Sequence, residues 1–299
     1  MKNVIGSLVA VAGLAAAAHA QPLATLLKYE ARVFNAGNDA GWGSAIDVNP
    51  GTRVEVRALV SYTGTGTVGG LSQIVFQPLV QGWTAGEALI TNADTGQAGP
   101  ATGIGPVGGS RSTPIGTVDN LPGVYGRITP WGANATNTST FLRGHVGTGT
   151  AAGMLRIAQN HITNWIGSGA TSGSTANNNV NGGGGVSIAQ IANPSRLPSD
   201  PAFNNGTSNL VVFKFSFLVG AGDGRSLVIN TPDDGFNRTL SSGQYVPNIR
   251  WFANENEASA SVQTAAVAEA ATIRVVPVPA PGAMALLGLG GLVAARRRR

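Results

Sequence analysis

Along the 299-residue chain the sharpest pattern is an alternation beginning at Arg53: Val54, Val56, Ala58, Val60 and Tyr62 fall on one side, and Arg53, Glu55, Arg57 and Ser61 on the other. A period of two is that of a strand with one face in a core and one in water. A second run, Asn209 to Gly220, puts Val211, Phe213, Phe215, Phe217 and Val219 on one face and Lys214 and Ser216 on the other. Shorter runs of the same kind are LLKYEARVF from Leu26, SQIVFQPLV from Ser72, RSLVIN from Arg225, NIRWFA from Asn248 and TIRVV from Thr272. Glycine, asparagine and proline separate them at turn-compatible intervals, so the pattern predicts a mainly β protein, an antiparallel β-sandwich. One helix is expected, over Ala151 to Ile166, where Leu155, Ala158, Ile162 and Trp165 recur at helical spacing. Gly167 to Gly185 follows as a low-complexity run of glycine, serine and asparagine, too polar to repay its own ordering, and reads as a loop within one domain.

Composition sharpens this picture. The 43 glycines with abundant threonine, serine and asparagine suit short strands and turns. There is no cysteine, so the fold rests on its core without disulfides, and about 250 residues suffice for that as one large β domain. The net charge of +5 is misleading, because Lys2 and Arg296 to Arg299 supply five of the 19 basic residues while all 14 acidic residues lie between them. The body is therefore electrically balanced, with 14 of each sign, and carries no basic stripe for nucleic acid.

Both ends read as processing signals. The start has one lysine, an apolar run from Val4 to Ala18, and small residues at Ala18 and Ala20 around His19, the order of a secretory signal peptide cut after Ala20. At the other end Ala283 to Ala295 is apolar for 13 residues, short of the roughly 20 that span a bilayer, and four arginines follow at once. Such a cluster stays cytoplasmic while the preceding chain is exported. Pro277, Pro279 and Pro281 precede the apolar run as a stiff spacer. This Pro-rich stretch, short apolar helix and Arg296, Arg297, Arg298, Arg299 cluster resemble a PEP-CTERM sorting signal. Where that family usually has Pro-Glu-Pro this chain has Pro277-Val278-Pro279, similar to variant, planctomycete-like forms. The resemblance covers roughly the last two dozen residues. It implies an exported bacterial protein whose tail enters the inner membrane transiently or as a retained anchor and is read by an exosortase-like membrane protease, in the company of exopolysaccharide systems. The expected division is signal peptide 1–20, sandwich body 21–276 and sorting segment 277–299.

Candidate chemistry in the body is sparse. No G-x-S-x-G elbow or H-E-x-x-H helix occurs. Apart from His19 in the leader, His145 and His161 are the only histidines, with no nearby carboxylates to complete a metal site. Two segments fit G-x-G-x-x-G, Gly64, Gly66, Gly69 and Gly103, Gly105, Gly108. The first runs into a strand and the second contains Pro106, so neither offers the helix start that holds a pyrophosphate, and no cofactor or metal is expected. Asp233-Asp234 and Asp223 read as turn residues that would bind calcium only if their loops met. Three of the five tryptophans, Trp42, Trp83 and Trp131, sit among glycines in or beside loops, where an indole more often packs under the loop but can also stack on a sugar or fill a partner's pocket. Trp165 and Trp251 lie in apolar runs and read as core. The fold-level comparison is with jelly-roll, immunoglobulin-like and cohesin-like sandwiches, which by itself assigns no activity. These observations together point to a non-enzymatic, exported surface or matrix protein of structural or adhesive type. A carbohydrate-binding protein is the alternative if the three indoles form an exposed plane, and a secreted hydrolase if two carboxylates converge in a cleft.

Overall fold

A computed structural model describes residues 22–34, 41–89, 126–128, 131, 140–146, 152–161, 185–189, 204–239, 245–254 and 261–277. The expected signal segment, the low-complexity loop up to residue 184 and the tail from residue 278 lie outside the described residues. In chain order the strands are β1 (Leu23–Val33), β2 (Ala45–Val48), β3 (Arg53–Tyr62), β4 (Leu71–Phe76), β5 (Leu79–Gln81), β6 (Ala88–Leu89), β7 (Gly126–Arg127), β8 (Thr140–Val146) and β9 (Met154–His161). They continue as β10 (Val186–Ala189), β11 (Leu210–Leu218), β12 (Arg225–Asn230), β13 (Asn237–Thr239), β14 (Tyr245–Pro247), β15 (Ile249–Phe252), β16 (Ser261–Gln263), β17 (Ala265–Glu269) and β18 (Ala271–Val275). Asp233–Phe236 is a single 3₁₀ turn.

Two sheets account for nearly all of these strands. The smaller has the order β17-β1-β3-β11-β6, with β7 also on β11, and the larger β16-β15-β4-β10-β9-β5-β12-β18-β2, with β8 also on β9. β13 and β14 form a separate small ribbon. Pairing is antiparallel except for β17 on β1, β2 on β18 and β10 on β9. Near the end of the body the chain passes from the larger sheet to the smaller and back, through β16, β17 and β18, with single residues as hinges. Thr264 at the first hinge is fully buried, and its hydroxyl bonds that of Thr25 at 2.7 Å.

The sheets pack face to face. Val54, Val56, Ala58 and Val60 of β3 face inward, flanked by Leu27, Tyr29 and Ala31 of β1 and by Phe213, Phe215 and Phe217 of β11, all of them buried. Edge-to-face ring pairs join the layers: Phe76 with Phe213 at 5.9 Å, Trp83 with Phe217 at 5.4 Å and Tyr62 with Trp251 at 5.3 Å between centroids. Two of the polar groups that enter the core are matched there, as buried groups favour. Trp251 Nε1 donates to Thr25 Oγ1 at 2.8 Å, and the Tyr29 hydroxyl meets Thr231 Oγ1 at 2.6 Å. Burial pushes the Tyr29 hydroxyl far above its ordinary pKa, against the smaller opposing effect of its Thr231 partner.

Two expectations are corrected. β11 is not a single alternation: its register on β3 slips between Val211 and Phe213, so Val212 is an extra residue. Leu210 before the bulge, the bulged Val212 itself, and Phe213, Phe215, Phe217 and Val219 after it are buried, while Val211 turns partly outward. The helix expected over Ala151 to Ile166 is replaced in its described part by β9, whose Leu155 and Ile157 enter the core. Its partners decide this. β5 and β8 bond β9 over several residues and β10 meets it at Val186, satisfying its backbone within the larger sheet.

Candidate functional site

The outward faces of β1, β3 and β11 carry an ionic ladder. Register places Glu30 opposite Arg57 and Arg57 opposite Lys214; one step along, Arg32 lies opposite Glu55 and Glu55 opposite Ser216. Arg57 donates from Nε (2.9 Å) and Nη2 (2.7 Å) to Glu30 Oε2, while Lys28 Nζ lies 2.8 Å from Glu30 Oε1. Arg32 likewise approaches Glu55 Oε2 from Nε (2.7 Å) and Nη2 (2.6 Å). Burial alone would raise the Glu30 carboxyl, but the Lys28 ammonium and Arg57 guanidinium outweigh it and hold it below the usual carboxylate range.

Trp42 lies across this ladder. Gly43 exchanges both backbone hydrogen bonds with Ala31, at 2.8 and 3.0 Å, and Gly41 adopts φ +86°, a conformation that glycine reaches without strain. The chain is thereby held against β1 with the indole over the cations. Its ring centroid is 4.4 Å from Arg32 Cζ, 4.5 Å from Arg57 Cζ and 5.9 Å from Lys214 Nζ. Phe34 does the same at the neighbouring step, 3.7 Å beneath Arg53 Cζ, and Arg53 Nε also reaches Ser216 Oγ at 3.3 Å. Arg32 and Glu55 are buried under this cover, whereas Trp42, Arg57, Lys28 and Lys214 still meet solvent.

The ladder is not neutral. On β1, β3 and β11 the outward charges are Lys28, Arg32, Arg53, Arg57 and Lys214 against Glu30 and Glu55. Even with Glu269 of β17, opposite Lys28, cations exceed carboxylates by five to three among the described residues. Arg57 and Lys214 are like charges directly opposite one another across two strands, a pairing that opposes the fold unless something offsets it.

A second cluster lies at one end of the sandwich and is a fastener. Glu87, with its side chain fully buried, accepts from Thr84 N (2.5 Å), Thr84 Oγ1 (2.7 Å) and Gly220 N (3.2 Å) and pairs with Arg225. Arg225 also donates to the carbonyls of Gly222 (3.0 Å) and Gly220 (3.2 Å), so the turn after β5 is tied to the turn between β11 and β12.

The three indoles marked as candidates separate. Trp83 and Trp131 are core residues, 3 % and 1 % exposed, and Trp131 Nε1 donates to the Leu71 carbonyl at 3.1 Å. The glycines beside Trp83 serve to turn the ring inward: Gly82 at φ +79° swings the chain so that Trp83 meets Phe217. A plane of three exposed indoles is therefore not formed, and Trp42 alone of the three remains at the surface. Asp223 and Asp233 lie at opposite ends of β12, whose six residues span about 20 Å, so their loops do not meet. No group of three or more His, Cys, Asp or Glu able to hold a metal occurs among the described residues. His145 and His161 fall on β8 and β9. Gly64, Gly66 and Gly69 connect β3 directly to β4, strand to strand. Pro277 is exposed at the end of the described body, while Pro279, Arg296 to Arg299, Ala18 and Ala20 lie outside the described residues.

No family model matches the chain, and no curated protein is significantly similar to it. Among solved structures it is similar to a third cohesin, ScaC of Acetivibrio cellulolyticus in complex with the ScaB dockerin, at 9% identity and TM-score 0.32 over 85% of this chain and 99% of that one. It is similar also to the sixth cohesin of the same organism's scaffoldin B, in complex with a Cel5 dockerin, at 11% identity and TM-score 0.30 over 84% and 99%.

Proposed function

We propose that this chain is an exported cell-surface or extracellular-matrix protein of structural or adhesive type, without catalytic activity. Its leader would be removed by signal peptidase at Ala18-His19-Ala20, and its tail, from Pro277 to Arg299, handled by a PEP-CTERM/exosortase-like route with passage through the inner membrane. One observation of the body carries the reading: its concentrated charge and its surface indole lie across a sheet face built from three long strands, a broad, rigid surface suited to attachment. Glu30, Glu55 and Glu87 are each engaged by an arginine, an arrangement that holds elements together. The balanced charge of the body is consistent with service in a hydrated matrix, away from nucleic acid.

The test is genetic and cell-biological. In a strain lacking the protein, surface-retained matrix and attachment should fall, and both should return on complementation with the full chain. Unchanged attachment, with the protein confined to the cytosol, would contradict the reading.

A further inference from the structure

Resting on the proposal that the protein works at a surface, we infer that the Trp42–Arg57–Lys214 cluster is a binding site for a carboxylate-bearing sugar of an acidic polysaccharide. Three features converge. First, the cluster holds surplus positive charge: Arg57 is matched by Glu30, but Lys214 stands directly across from Arg57, and among the described residues of these strands cations outnumber carboxylates. A carboxylate between the Lys214 ammonium and the outer edge of the Arg57 guanidinium relieves a like-charge juxtaposition that the fold otherwise tolerates at a cost. Second, the aromatic surface is in place, because Trp42 is held by the paired backbone of Gly43 and Ala31 and is half-buried, leaving part of the indole at the solvent boundary beside the same cations. An indole next to a cation is a fit for a sugar ring that bears an acid. Third, the platform is stiff. Arg57 lies on the central strand of the smaller sheet, bonded on both sides, so little ordering is needed on binding.

The same facts weigh against nucleic acid. A phosphate backbone needs a run of several unpaired cations, whereas Arg32 and Arg57 are each already held by a carboxylate and the body is neutral overall.

Calorimetric titration of the processed full-length protein with polygalacturonate, its fully methyl-esterified form, neutral dextran and duplex DNA tests the site. The inference expects saturable binding to polygalacturonate that weakens with salt, with little heat from the ester or dextran. Lys214→Gln should weaken it about tenfold or more, the loss of one charge-assisted contact, and Trp42→Phe by a smaller factor at unchanged salt dependence. An unfolding midpoint for Lys214→Gln that is unchanged or raised, as removal of a like-charge pair allows, shows that the weakening is one of binding. Equal binding of the acid and ester forms, equal or stronger binding of DNA, or unchanged affinity in both variants overturns the inference. Its failure differs from that of the parent reading: a surface-located protein that ignores polygalacturonate defeats the site alone, and a cytosolic protein that binds it defeats the export reading alone.

Discussion

Replacing Glu87 by alanine is the most demanding perturbation of the fold. The substitution removes the acceptor of two backbone amides, Thr84 and Gly220, of the Thr84 hydroxyl, and of the Arg225 guanidinium. Breaking a fully buried ion pair costs about 3–5 kcal/mol. Arg225 is not left stranded, because its side chain stays 20% exposed and keeps the carbonyls of Gly220 and Gly222, so the cost belongs at the low end, about 3 kcal/mol. For a body of this size that corresponds to a fall of roughly 6–12 °C in melting temperature. Urea unfolding followed by tryptophan fluorescence measures it directly, since Trp83 sits in the turn that Glu87 closes. Arg225→Ala, which leaves the fully buried Glu87 carboxylate without its cation, should cost at least as much as Glu87→Ala, and the double variant should lose less than the sum of the two by about 1 kcal/mol or more. A loss below about 1 kcal/mol for Glu87→Ala, or strict additivity, would refute the view that this pair fastens the end of the sandwich.

Other outcomes follow from the same geometry. Gly220→Ala should destabilise by about 2 kcal/mol or more in calorimetry, because the added Cβ would lie 2.4 Å from the backbone carbon of Gly86, which cannot give way as a side chain would. Tyr29 should remain protonated in the folded protein well beyond pH 10, visible as a missing tyrosinate increment at 295 nm. The unfolded chain releases that proton near pH 10 and the folded one does not, so its contribution to stability is complete below pH 10 and declines above it, by about 1.4 kcal/mol per pH unit. Glu30 runs the other way: its contribution is present above the unfolded carboxyl pKa and is lost as pH falls through the lower folded one. Arg57→Ala should raise the Glu30 pKa in a carboxyl-detected NMR titration, and no change would remove Arg57 as a cause.

The long strands were legible because their alternation matches a local physical requirement. β3 carries Val54, Val56, Ala58 and Val60 at every second place, all buried, and β1 and β12 follow the same rule. β9 was not legible, since Leu155 and Ala158 satisfy a helical period as well as Leu155 and Ile157 satisfy an extended one, and only strands distant in sequence choose between them. β17, read as AAVAE, has the composition of a helix and becomes a strand by lying on β1 between two crossings. The glycines around Trp42, Trp83 and Trp131 do not by themselves separate an exposed indole from one packed under a loop, and at Gly82 the backbone freedom of glycine carries the ring into the core. The ionic face was half visible. Arg53, Glu55 and Arg57 were plainly the polar side of β3, while their pairing with Glu30 and Arg32, and the cover of Trp42, depend on register and on a backbone bridge that the sequence does not spell out.

Intact-mass measurement of the native protein recovered from the cell surface and medium tests the central claim most directly, because it weighs both ends at once. The account predicts a chain beginning at Gln21 and, where the sorting segment is cut, ending near the Pro277 region ahead of the arginine cluster. A cytosolic protein still carrying Met1 and Arg299 would contradict it.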